Sequence, residues 1–381
     1  MFVSFFPHPR AFFWSVLIWT ALCMTLWYAA AADWGTHVGL PEGDATEGPK
    51  ATAQAMAEML RQSAEAAGVH VTDLEGVGVG TPGEMEEDGV VANVVNIVDW
   101  KDPFPLAQTI GEELGGLPVK CGNDVDVATW GEFNLGAGTP YQSVLGVFWG
   151  TGVGGGIVLN GEPWRGRGSA GEIGHVVVKI NGRKCGCGRH GCLEAYAGRR
   201  SMEAHARHLV DKGHKTRLFH IAEHKQKDHI TSGVIEKALD EGDKMAEELI
   251  EEALHMLAVA MASAGNLLDV DAIVLGGGMG TRLGSRYLED LRHLMHPHEF
   301  ASDPPELVVA NLGDLGGAIG ASLLISYERA KAEALGYHAK GGLMERAERI
   351  IALCVGLFFN ILVPVLWIML VLTTITAIQR F

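Results

Sequence analysis

Three thiols stand within eight residues in Cys185-Gly-Cys187-Gly-Arg-His-Gly-Cys192, a spacing that can wrap a tetrahedral ion. The fourth ligand must come from elsewhere. His175, ten residues upstream in Ala170-Gly-Glu-Ile-Gly-His175, is well placed, and His190 inside the loop competes with it. A disulfide with one spare thiol is the plainer alternative, although a Cys-x-Cys pair closes poorly on geometric grounds. A second kind of chemistry is written in glycine. Gly150-Thr-Gly-Val-Gly-Gly-Gly156 follows an apolar run, and glycine lets backbone N–H groups come close to an oxyanion while Thr151 adds a hydroxyl. Read alone, it is equally a tight turn. Gly276-Gly-Gly-Met-Gly280 again follows an apolar strand, and Gly313-Asp-Leu-Gly-Gly-Ala-Ile-Gly320 opens a helical pattern. Three such clusters in one chain favour a nucleotide. Asn123-Asp124 lies past a strand end, where a carboxylate can take a proton during phosphoryl transfer, although such a pair is more often only a turn.

The elements that must carry these residues alternate between strand and helix. Residues 51–67 read as an amphipathic helix, 76–80 as a buried strand running into a Thr81-Pro-Gly83 turn, and 117–121 as a short strand. Residues 144–148 and 272–275 are strands opening the first two glycine clusters, and 243–266 are a long helix. The pattern predicts an α/β chain with mainly parallel sheets.

Composition bounds the function. The 381 residues suffice for two domains and carry a net charge of −16, a poor footprint for nucleic acid. Fifty glycines are near twice the usual share. Mean hydropathy is nonetheless +0.14, because apolar weight is gathered at the ends. Residues 11–32 and 350–378 hold no charged side chain; each end carries a net +1, so the middle holds −18. Ala11 to Ala32 would span roughly 33 Å as a helix, enough for a bilayer core, and Trp14, Trp19, Trp27 and Tyr28 suit its interfaces. A cleaved signal peptide ending at Ala29–Ala32 is the rival. The charges flanking the two segments give opposed orientations: Arg10 before the first places the middle outside, and Arg329, Lys331, Lys340, Arg346 and Arg349 before the second place it inside. Cys23, Cys121 and Cys354 read as lone buried thiols, which suits a reducing compartment.

Taken together, Thr81-Pro-Gly83, Gly122-Asn-Asp-Val-Asp126, Gly150–Gly156, Ala170-Gly-Glu-Ile-Gly-His175, Cys185-Gly-Cys187…Cys192-Leu-Glu194 and Gly276-Gly-Gly278 resemble, in order, the motifs of the ROK family. That family comprises repressors, open-reading-frame products and sugar kinases, typified by bacterial glucokinase. The resemblance spans roughly residues 46–327. It implies an actin-like (ribonuclease H-like) two-domain ATPase and sugar kinase fold that phosphorylates a hexose, most simply glucose to glucose 6-phosphate, from ATP with Mg2+. Carried over by position, Asp124 looks like the catalytic base. Asn123, Asp124, Glu172, His175 and Glu194 look like the hexose contacts. His175, Cys185, Cys187 and Cys192 look like a structural Zn2+ site. Gly150, Thr151, Gly152 and Gly154 look like a phosphate loop, and Gly276, Gly277 and Gly278 like the adenosine segment.

One departure matters. Family members open with a strand and an Asp-x-Gly-Gly-Thr loop for phosphate and magnesium, followed by two more strands. Here only Asp33-Trp-Gly-Thr36 stands nearby; it lacks one glycine and lies too close to the helix at 51–67. Residues 1–32 resemble the start of a bacterial peptide-uptake membrane protein, and 342–381 the last helices of a CDP-alcohol phosphatidyltransferase. The sequence therefore leads to these expectations: a transmembrane helix in 1–32, a partial N-terminal kinase subdomain over 46–122 with its first strands missing, a kinase core with a zinc loop over 123–327, and a second transmembrane segment in 342–381. The whole is a fusion, membrane-associated, with the core facing the cytoplasm and forming a homo-oligomer. The alternative is a membrane-tethered sugar sensor or inactive kinase relic. Residues 33–50 are too few for a DNA-binding helix-turn-helix, which argues against a repressor's role.

Overall fold

The computed structural model describes residues 2–7, 48–66, 70–86, 89–92, 94, 100, 102–313, 316–317, 320–321 and 323–324. The chain divides into compact units over Met1–Ile325 and Ser326–Phe381; the described residues all lie in the first.

In chain order, strand β1 is Phe2–Pro7 and helix α1 is Pro49–Ala66. Then come β2 (Leu74–Thr81), β3 (Glu84–Met85), β4 (Val90–Ala92), β5 (Phe104–Pro105), α2 (Leu106–Glu113) and β6 (Val119–Asn123). β2 pairs antiparallel with β1 and parallel with β6, while β3, β4 and β5 form a small antiparallel sheet. Alternation along β2 turns Val77 and Val79 into a core with Met56 and Leu60 of α1, Ile110 of α2 and Trp100.

The larger half follows. It contains α3 (Asp124–Leu135), β7 (Val144–Trp149), β8 (Val153–Leu159), β9 (Glu162–Pro163), α4 (Glu194–Ala197), α5 (Arg199–Asp211), α6 (Leu218–His224) and α7 (Ser232–Asp240). It closes with α8 (Lys244–Leu268), β10 (Ala272–Gly276), α9 (Gly277–Met295) and β11 (Glu306–Val309). Five strands run in the order β11-β10-β7-β8-β9, with β11, β10 and β7 parallel and β8 and β9 returning antiparallel. α8 reads as a helix of 25 residues because Asp243 caps its start, accepting from the Ala246 N–H at 2.9 Å, and an apolar stripe from Met245 to Met261 is buried. β7 and β10 are almost wholly buried, as central strands of a covered sheet must be.

Two expectations are corrected. Phe2–Pro7 is not the start of a membrane helix: it is a strand on the edge of β2, registered from Phe2 opposite Gly80 to Phe6 opposite Gly76. Its Phe-Val-Ser-Phe-Phe sequence is β-prone, and it covers an edge that would otherwise present unpaired backbone groups. Second, Gly150–Gly156 is not one loop. The turn ends at Gly152, and Val153 to Gly156 already belong to β8. The apolar segments 11–32 and 342–381, with Asp33-Trp-Gly-Thr36, lie outside the described residues. Among the described residues no helix is long and apolar enough to cross a membrane.

Candidate active site and metal centre

The site begins where β6 becomes α3. Gly122 must lack a side chain, since a Cβ would stand 2.6 Å from Val127 Cγ1. Asn123 then caps α3: its Oδ1 accepts from the Val125 and Asp126 N–H groups at 2.9 and 3.3 Å. Its carbonyl is thereby spent on the helix, and its amide Nδ2 donates to Gly83 O at 3.3 Å, tying the Thr81-Pro-Gly83 turn to the same place. Asp124 is the first residue of α3 and only half-buried. Burial holds its carboxyl above the ordinary aspartate range, opposed by the Val125 N–H, which donates to Asp124 Oδ1 at 3.0 Å. Asp126 is pushed up to about 7, first by burial; Arg165, 3.8 Å away, pulls it down, and Asp124 and Glu172 push it further up. A carboxylate tuned upward at the mouth of a helix is suited to accept a proton near neutral pH.

Strand β8 is the spine on which the rest hangs. On one side Gly154 meets α3, where a Cβ would touch Val125 Cγ2 at 2.7 Å, so this glycine seats the helix that carries Asp124. On another, Gly174 presses on Val153: a Cβ there would stand 1.9 Å from the Val153 carbonyl oxygen. That contact seats the short 3-10 helix Ile173–His175, with Glu172 just before it and its Oε2 4.0 Å from His175 Nε2. Burial raises the Glu172 carboxyl, His175 opposes it, and Glu194, Glu84 and Asp124 add to the rise. Glu194 opens α4, and its Oε2 accepts from the Val153 N–H at 3.0 Å. Gly152 passes so near that a Cβ would stand 2.2 Å from that same oxygen.

At the carboxyl ends of parallel β7 and β10 lie the two glycine turns. Gly150 N–H donates to Gly152 O at 2.9 Å, and the nearest atom to a Cβ on Gly150 would be the Gly278 backbone nitrogen at 3.8 Å. Gly276 closes β10 and Gly277, with φ +79°, starts α9. The arrangement puts a helix N-terminus and a bare turn side by side at strand ends, where α/β sheets bind anions. Beside Thr151 opens a cavity of about 350 Å³ lined by Arg199, Arg200, Glu203, Ala204, Arg207 and His229.

His175, Cys185, Cys187 and Cys192 converge, with one ligand atom from each lying within 4.8 Å of every other. Cys187 Sγ and Cys192 Sγ are 3.8 Å apart, and Cys185 Sγ is 3.8 Å from His175 Nδ1. A tetrahedral ion with metal–sulfur bonds of about 2.3 Å holds its sulfurs about 3.8 Å apart, so the donor set fits such an ion as it stands. All three thiols are free of disulfides. His190, the competing ligand, is exposed and pairs with Lys184 in a β-bridge outside the group. The thiols differ before any ion is bound. Burial pushes Cys185 to about 12 and raises Cys192, whereas the exposed Cys187, though desolvation raises it, is drawn down to about 6 by hydrogen bonds from Arg189 and its neighbouring thiols.

The sequence reading overlooked three groups. Asp126 and Arg165 form an ion pair across the β9 loop, and Arg199 reaches Thr151. Only the position of Asp126 inside the Asn-Asp-Val-Asp run could have flagged it; the arginines have no periodic or spacing signal.

A family model described as "ROK family" matches residues 42–328. A glucokinase of Halalkalibacterium halodurans is 34% identical over 262 residues, covering 68% of this chain and 78% of that protein. A ROK hexokinase structure from Thermus thermophilus superposes with a TM-score of 0.61 at 32% identity, covering 75% of this chain and 89% of that one. A ROK glucokinase from Streptomyces griseus, solved with glucose and AMPPNP, gives 0.59 at 29% identity, with coverages of 71% and 88%.

Proposed function

This chain belongs to the ROK family and is a sugar kinase by that kinship, with its α/β, actin-like fold, and we propose that it transfers the γ-phosphoryl group of ATP to a hexose, most simply to the 6-hydroxyl of glucose. The observation that carries this reading is the placement around β8. Asp124, the Glu172–His175 turn and Glu194 gather at the same strand that begins at the Gly150–Gly152 turn, so an acceptor site and a phosphate site share one support. The hexose complex and the ATP analogue named for the Streptomyces griseus relative agree with both halves.

In this mechanism Asp124 accepts the proton of the hydroxyl as its oxygen attacks the γ-phosphorus, and the bond to the bridging oxygen breaks to release ADP. Glu172, Glu194, His175 and the amide of Asn123 orient the sugar. The backbone N–H groups of residues 151–152 and 276–278, with the Thr151 hydroxyl, stabilise charge on the phosphates; the Gly150 N–H is already given to Gly152 O. Mg2+ bound with ATP would add further charge neutralisation. Zn2+ suits the His175, Cys185, Cys187 and Cys192 set as a structural ion. An ion bound at Nδ1 would fix His175 in one tautomer and leave its Nε2–H, on the side of Glu172, to donate to a sugar hydroxyl. Beyond the core, the proposal takes residues 350–378 as a membrane anchor of a fused chain, with a homo-oligomeric core on the cytoplasmic side; a crossing by 11–32 would part β1 from β2 and is not carried into it.

An ATP-coupled assay over a panel of hexoses tests the reading, with Asp124→Asn expected to lower kcat at least about 100-fold. No turnover of any hexose by a folded, zinc-loaded sample sinks it. A second reading is favoured by one observation: nowhere does the sequence contain Asp-x-Gly-Gly-Thr. A sugar-binding sensor or kinase relic would then bind hexose in calorimetry without binding ATP.

A further inference from the structure

Among the described residues Arg199 is the one buried arginine. It is 6% exposed, and it stands at the start of α5, straight after Gly198. Its backbone N–H donates to Gly150 O at 3.1 Å, and the next N–H, of Arg200, donates to Thr151 O at 3.1 Å. Its guanidinium donates through Nη1 to Ile230 O and through Nη2 to Thr151 Oγ1 at 2.8 Å. The Gly150–Gly152 turn is therefore held from both its backbone and its one side chain by a single residue outside it.

The bond to Thr151 has a direction. A guanidinium can only donate, so the threonine oxygen accepts, and a hydroxyl that accepts on one side has its own proton turned to another. Thr151 also lines the cavity of about 350 Å³, together with Arg200, Arg207 and His229. Three arginines border that space against one acid, Glu203, which already receives Arg207 at 2.6 Å and the Ile230 N–H at 2.9 Å. The cavity is thus biased toward an anion, and Thr151, inside the glycine turn, gives its lining a hydroxyl.

We propose that Arg199 is a positioning residue for the phosphoryl donor: it fixes the Gly150–Gly152 turn and aims the Thr151 hydroxyl proton at a donor phosphate. The proposal rests on the kinase reading above. It concerns only the donor half, because the hexose contacts hang from β8 and α3 by other bonds.

The test measures binding of AMPPNP with Mg2+, and separately of glucose, by calorimetry on the full chain carrying Arg199→Gln, Arg199→Lys, Thr151→Val and the pair Arg199→Gln with Thr151→Val. Loss of a hydrogen bond to a charged group weakens binding about tenfold or more. Arg199→Gln and Thr151→Val should each weaken AMPPNP binding about tenfold, the pair no more than the worse single change, and Arg199→Lys less than Arg199→Gln. Glucose affinity should stay within about twofold throughout. Thr151→Val is nearly isosteric and half-buried, so it stands even where an Arg199 variant fails to fold. Wild-type AMPPNP affinity in Thr151→Val or in a folded Arg199→Gln overturns the proposal. So do losses that add in the pair, or that fall equally on glucose. If the unaltered chain binds glucose but no AMPPNP, the kinase reading itself has failed, and this inference with it.

Discussion

Gly174→Ala isolates how the site is held. In the native chain a Cβ at residue 174 would stand 1.9 Å from the Val153 carbonyl oxygen, and real Cβ atoms essentially never come closer than 3.0 Å to such an atom. The 3-10 helix Ile173–His175 or the start of β8 must therefore move by about 1.1 Å, since both partners are backbone and neither can rotate away. Displacement of a binding group by about 1 Å costs roughly 100-fold in rate, near 2.7 kcal/mol. The shift carries Glu172 and His175 with it, so it strikes the proposed hexose contacts and the proposed imidazole ligand together. Gly174→Ala should lose about 100-fold in kcat/KM for the hexose and part of its bound zinc, with AMPPNP affinity little changed. Gly186→Ala is the control: it sits inside the thiol loop, yet nothing lies within 4 Å of its would-be Cβ, so zinc content and rate should hold. Steady-state kinetics and metal analysis on both proteins decide the matter. Full hexose kcat/KM and one zinc per chain in a folded Gly174→Ala protein would refute the reasoning.

Further expectations follow from the same geometry. Burial raises Asp124, so kcat/KM should fall as pH drops through a limb lying above the ordinary aspartate value of about 4, read from a pH–rate profile. Asp126, raised to about 7, binds its proton more tightly folded than unfolded; stability should therefore decline as pH rises from about 4 to 7, and Asp126→Asn should flatten the Tm profile over that window. Cys187→Ser should abolish stoichiometric zinc while His190→Ala keeps it, by metal analysis after dialysis against a chelator. Deleting residues 1–7 bares the edge of β2 and should lower Tm and promote light scattering on standing.

Much of the molecule is legible without coordinates because its signals are local. α8 announces itself by Asp243 and an apolar stripe at helical spacing, and β7 and β10 by short apolar runs that end in glycine. The Cys-x-Cys…Cys cluster is legible because only a few residue types make a soft tetrahedral shell. β1 is not: a run of six residues before a long apolar segment reads as its continuation, and only the free edge of β2, some seventy residues on, makes it a strand. Asn123 is half legible. Its place after a strand marks a functional turn, yet that its Oδ1 is used to cap α3 depends on the backbone it meets.

By itself, then, the sequence determined the set of chemical parts: thiols and imidazoles for an ion, carboxylates at Asn123-Asp124 and Glu172, and glycine at the ends of apolar strands. Tertiary structure alone decided their assignment. It gathered His175 rather than His190 with the three thiols, because the Ile173–His175 turn is pressed onto Val153 while His190 is bridged to Lys184. It divided Gly150–Gly156 into a turn facing Gly278 and a strand packed on Val125, and it brought Arg199 to Thr151 across 48 residues of chain. Residue type and spacing specify which bonds a group can make. Which of them it does make is set by close packing between segments far apart in the chain, where a single Cβ would leave no room.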